Sequence, residues 1–279
     1  MFAKLLKHDL RAVFKYWWIG AVAVLGISVF GGFSMRIAEA DTRYATVSEM
    51  GFFGILLSYI AIYLVPVFTQ IVLLVRYYKH FFSDEGYLTF TLPVKKTSLF
   101  DSKLLTGFIY MLSSYALMFV SVCLLDFIYD PALFNIGTVW SDLSLNSVFD
   151  VISLFGDGLG GYTVPCVILT ILAVVVYIFL FNAFIYACMT LASTISSKHK
   201  VLVGVSIYVG ARVMIFVLTR TVLISSLFYE YNTETTEPLA NSGAVLMAVL
   251  IGMVGIMLAV FGALYYLITV LLHKKLNLS

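Results

Sequence analysis

The chain has 279 residues, of which 62% are hydrophobic and only 11% charged, and its net charge is +2. That is about half the charge density of an average soluble domain, too little polar surface to clothe a water-soluble fold of this length. The few cations are dispersed rather than clustered, which leaves no nucleic-acid footprint, and the apolar residues come in long runs that belong in lipid.

Residues 1 to 16 open the chain with an amphipathic pattern. Phe2, Leu6, Leu10, Val13 and Phe14 share one helical face, and Lys4, His8, Arg11 and Lys15 share another. This predicts an interfacial helix on the inner leaflet, with its cations near anionic lipid and with Trp17 and Trp18 marking the turn into the membrane. The plainer reading is an amphipathic start that merely orients insertion. No short apolar core with a small-residue cleavage site follows, so the first span is expected to serve as its own insertion signal.

Apolar runs of roughly 20 residues, enough to cross about 30 Å of hydrocarbon, fall near 17 to 35, 52 to 75, 104 to 126, 163 to 194, 201 to 228 and 243 to 272. The expected fold is therefore all-α: a polytopic membrane protein with six transmembrane helices forming a single domain over 1 to 279. With the N-terminus inside, the inner segments hold Lys4, Lys7, Arg11, Lys15, Arg76, Lys79, Lys95, Lys96, Lys103, Lys198, Lys200, Lys274 and Lys275. The outer segments hold only Arg36, Arg43 and Arg220. That asymmetry predicts a multi-pass protein of the cell membrane with both termini cytoplasmic. Pro66 and Pro165 are expected to kink spans two and four. Cys123, Cys166 and Cys188 lie in apolar segments, odd in number, and suggest neither a disulfide framework nor a metal knuckle.

One inner connection is long enough to carry function, residues 76 to 103 with the sequence RYYKHFFSDEGYLTFTLPVKKTSLFDSK. Ser83 can cap a short helix whose first turn holds Asp84 and Glu85, where negative charge suits the helix dipole, and Pro93 stops it. Tyr87, Leu88, Thr91 and Leu92 share a face of that helix, so apolar and aromatic side chains are offered to the cytoplasm. Such an element needs a partner. The bland alternative is a solvated loop with a capped turn.

Further along, the outer connection near 127 to 162 contains GDGLGG at 156 to 161, a literal GxGxxG without the strand and helix that a dinucleotide site requires. Arg212 sits near the middle of span five, with Asn182 of span four and Gln70 of span two as candidate companions. It reads either as a cation on a substrate path or as a structural arginine bonded to carbonyls or snorkelling. Ala244, Ala248 and Gly252, then Gly255, Ala259 and Ala263, give span six two small-residue faces, favoured as packing within one subunit over a dimer seam. No carboxylate falls deep in a span, and the four histidines lie on separate segments without HExxH, so neither catalytic residues nor a metal site are expected. No GxxxxGK[ST] occurs, so ATP and Mg would have to be bound elsewhere.

The inner connection resembles that of the permeases of ABC-2 type exporters, in particular those of Gram-positive bacteria. Glu85 and Gly86, the apolar and threonine-containing Tyr87, Leu88, Thr89, Phe90, Thr91 and Leu92, then Pro93 and Val94 before Lys95 and Lys96, stand where that family has its mark. The resemblance extends to the amphipathic N-terminus and the six-span order. It implies that Asp84 to Pro93 form a coupling helix between spans two and three, seated in a groove of a separate ATPase. It also implies an assembly of two such ATPases with two membrane subunits, identical or paralogous, exporting an amphipathic peptide, antibiotic or lipid-like substrate, with membrane lipid and no nucleic acid as the other partner. In many relatives the notable outer structure lies between spans five and six, whereas here that connection, YEYNTETTEP, is short and acidic. The rival readings are a non-transporting membrane sensor or immunity module, which would bring no ATPase with it, and an intramembrane enzyme, which would show polar residues converging at one depth.

Overall fold

The computed structural model describes residues 2–39, 45–82, 96–129, 162–196, 199–232 and 242–274. Seven helices occupy them: α1 (Phe2–Glu39), α2 (Ala45–Tyr63), α3 (Val65–Phe82), α4 (Lys96–Tyr129), α5 (Thr163–Ile195), α6 (Lys200–Asn232) and α7 (Ser242–Lys274). Because α2 and α3 together make one crossing, these provide six helical segments long and apolar enough to span a bilayer. The chain is an all-α polytopic membrane protein.

The helices fall into two compact units, one of residues 1–81 and 90–151 and one of 82–89 and 152–279. In the first, α1 is the hub. It runs antiparallel to α2, since Ala38, Ser34 and Gly31 meet Gly51, Gly54 and Ser58 in reverse order. The seam is built from small residues, the usual means by which membrane helices approach closely. A Cβ at Gly51 would lie 2.7 Å from the backbone nitrogen of Ala38, and one at Gly54 only 2.3 Å from Ser34 Oγ, so both positions require glycine. On another side α1 runs parallel to α4: Asp9 pairs with Lys103, Trp17 bonds Ser114 and Arg36 bonds the Tyr129 carbonyl. Val24, Ile62, Val65 and Leu125 form a core between them.

In the second unit α5 is the hub. A tight turn, in which Ser196 Oγ accepts the His199 N–H at 3.2 Å, returns the chain as α6 antiparallel to α5. Gly204 then lies against Met189, and Phe184 against Tyr208. Helix α7 meets α5 through Phe261 and Phe179. Helices α6 and α7 each bury a narrow stripe, and side chains such as Val205, Val209, Val213, Val249 and Ile256 face outward, as hydrocarbon-facing residues do.

Several sequence expectations are revised. Residues 1 to 16 are not a separate helix turning at Trp17 and Trp18, because α1 is continuous from Phe2 to Glu39. Nothing between Phe14 and Trp18 interrupts the backbone ladder, and at 1.5 Å per residue the 38 residues reach about 57 Å, well past one leaflet boundary. Span two does break, at Leu64, two residues before Pro66, whose missing N–H and ring disrupt the preceding turn. Pro165 sits in the first turn of α5, where proline is tolerated without a kink. The inner connection is shorter than 76 to 103, since 76 to 82 and 96 to 103 are helical. The outer connection likewise loses 127 to 129 to α4, and residues 130–161 lie outside the described residues. A Cβ at Gly252 or Gly255 of span six would meet no neighbouring atom within 4 Å among the described residues, whereas one at Gly31, Gly51 or Gly54 of α1 and α2 would clash.

Candidate functional site

Asp84, Glu85, Gly86, Tyr87, Leu88, Thr89, Phe90, Thr91, Leu92 and Pro93 all lie outside the described residues. Their two supports are described. Helix α3 ends on Tyr77, Phe81 and Phe82, and α4 begins with Leu99, Phe100, Ser102 and Lys103, all buried. Aromatic residues at i and i+4, with the Tyr77 and Phe81 rings 5.0 Å apart, extend α3 beyond the apolar run and fix its end. The connection that resembles a coupling helix thus springs from two helix ends that are held firmly.

A buried polar thread fastens α4, the helix leaving that connection. Asp9, only 1% exposed, forms an ion pair with Lys103 and accepts a hydrogen bond from Ser102 Oγ at 2.8 Å. About two turns farther along α4, Tyr110 Oη donates to the Leu10 carbonyl at 2.7 Å. Ser114 is saturated: it donates to the Tyr110 carbonyl at 2.8 Å and accepts from Trp17 Nε1 at 3.0 Å and from Thr69 Oγ1 at 2.6 Å. Sequence reasoning missed Asp9. Its signal was a single carboxylate on the apolar face that carries Phe2, Leu6 and Val13, where a charge can stay only if it is paired.

The three residues considered for a substrate path are placed as follows. Gln70, on α3 in the first unit, is 8% exposed, and neither amide atom has a hydrogen-bond partner among the described residues. Asn182, on α5, is fully buried; its Nδ2 donates to the Ile178 carbonyl at 2.9 Å and its Oδ1 has no partner there. Arg212, on α6, is not compensated by Asn182. Its guanidinium instead lies over the rings of Phe181, at 5.6 Å, and Tyr208, at 5.8 Å, with the remainder exposed. Two rings recover about 1–2 kcal/mol apiece, whereas an arginine at mid-span costs at least ~3 kcal/mol even on the most lenient scale. The neighbouring Arg220 lies over Phe216 at 5.1 Å.

The architecture defines a class, the multi-pass helical membrane proteins of six spans. Comparison with protein families, with curated proteins and with solved structures finds no match.

Proposed function

We propose that this chain is the membrane-spanning permease subunit of an ATP-binding cassette exporter of the cell membrane, driven by a separate ATPase that grips residues 84–93. The observation that carries the reading is the setting of that segment: a sequence resembling a coupling helix leaves from the buried end of α3 and returns into the buried start of α4. A push on it has two firm helices to act on. The Asp9–Lys103 pair passes any displacement of α4 to α1, the hub of its unit. The charge asymmetry supports a cytoplasmic placement of this end. Within the first unit Lys4, Lys7, Arg11, Lys79 and Lys103 gather at the end where Asp9 lies, while Glu39, Glu49 and Asp126 belong to the other.

In this reading, closure of two ATPases around bound ATP and Mg moves the segments of two permease subunits, and the spans change the side on which a path opens. The cargo is an amphipathic substrate from the cytoplasm or the inner leaflet. The test is co-purification. A tagged chain should bring with it an ATPase containing a Walker sequence, one copy per permease. Gly86→Pro, which would break the short helix expected there from the sequence, or Leu88→Asp, which would put a charge on its apolar face, should abolish capture while the chain remains inserted and monodisperse. Undiminished capture by both variants would refute the role of the segment.

A further inference from the structure

Helix α6 carries a second pattern that the coupling segment does not explain. Tyr208, Arg212, Phe216 and Arg220 recur at four-residue intervals, so ring and guanidinium alternate along one face. The contacts are formed: Arg212 lies over Tyr208 and, from α5, over Phe181, and Arg220 lies over Phe216. A groove of about 490 Å³ opens beside Arg212, Val213, Ile215 and Phe216. Arg212 is twelve residues from Lys200, about 18 Å along the helix, and Arg220 a further eight, about 12 Å. The pair therefore marks the middle of the hydrocarbon and its far boundary.

What covers this face must bring negative charge. A guanidinium keeps its proton, and Arg212 has no hydrogen bond or ion pair to a described residue. Among the described residues no carboxylate pairs with Arg212 or Arg220. A second copy meeting this face across a two-fold axis at α6 would set arginine against arginine at the same depth. We infer that the α6 stripe is a track for the acidic headgroup of a membrane lipid or lipid-like amphiphile, which crosses with its head on Arg212 and then Arg220 while its acyl chains stay in the bilayer. Phe181 and Tyr208 flank the Arg212 guanidinium beside the groove, and its forked donors suit a phosphate. This deepens the exporter reading by naming the substrate class, and it rests on that reading only for the direction of movement.

The experiment uses the full chain without its ATPase, so its outcome is independent of ATPase capture. The protein is reconstituted in vesicles of equal parts phosphatidylcholine and phosphatidylglycerol, extracted mildly, and its retained lipid counted by native mass spectrometry. The expected result is retention of phosphatidylglycerol over phosphatidylcholine, cut about tenfold by Arg212→Gln, the size of one charge-assisted contact. Arg212→Lys should keep the preference in weakened form, and Lys7→Gln, at the membrane surface, should leave it unchanged. Should Arg212→Gln not fold, Arg220→Gln carries the test, with a smaller but measurable loss. Equal retention of both lipids by the unaltered chain, a preference that survives loss of either arginine, or displacement of the lipid by excess soluble glycerol phosphate would each overturn the inference.

Discussion

A glutamine whose amide has no partner inside a protein is a standing cost, about 1–3 kcal/mol for each unmet group. Gln70, 8% exposed and unpartnered among the described residues, bears that cost. Gln70→Leu removes the polar atoms and keeps most of the volume, so it should raise stability by about 1–3 kcal/mol in reversible denaturant unfolding in detergent. If the amide serves transport, the same variant should lose export; a stabilised protein with undiminished export would assign Gln70 no part in it. Arg212 was legible in the sequence as a cation within an apolar run. Its surroundings were not, because Phe181 comes from another helix and only the packing of α5 on α6 sets it, rather than Asn182, beneath the guanidinium. Residue type announces a problem in lipid, and the fold decides which neighbour answers it.

At the scale of elements, the contact between α1 and α4 decides how firmly the inner connection is held. The buried pair of Asp9 and Lys103 gains Coulomb energy in a low dielectric but has lost its hydration, so its net contribution is small while the loss of one partner is severe. Asp9→Ala should therefore destabilise the protein by about 3–5 kcal/mol, and the double change Asp9→Leu with Lys103→Met should recover most of that loss. A double-mutant cycle of Asp9→Leu and Lys103→Met by thermal unfolding checks this, and a double change that costs the sum of the two single changes would show that the pair is not coupled. Six apolar spans were legible because run length alone reports them. The continuity of α1 was not, since amphipathic residues at the start of a chain look the same whether the helix bends at Trp17 or runs on. What settled it was docking: Asp9 and Leu10 are engaged by α4, and Val13 is buried. The interruption at Leu64 was foreshadowed by Pro66, whereas Pro165 fell at a helix start, where proline breaks nothing.

For the whole molecule, each unit consists of three spans gathered on the first of them, α1 in one and α5 in the other. Such hubs suit a transporter, in which rigid groups of helices move as bodies. The connection at 83–95 joins α3 to α4 and is where an outside force could enter. Its chemical character could be read from the sequence alone, through Glu85, Gly86 and Pro93 and the apolar face between them. The firmness of its α4 end could not, since Lys103 is buried against Asp9, which is distant in sequence. The most direct measurement replaces Leu88 with a photo-reactive amino acid in intact cells, irradiates them, and identifies by mass spectrometry what becomes joined to it. The account predicts a polypeptide with a Walker nucleotide-binding sequence, attached near the surface that moves when ATP binds. A chain that inserts normally yet captures only lipid or water at that position would contradict it.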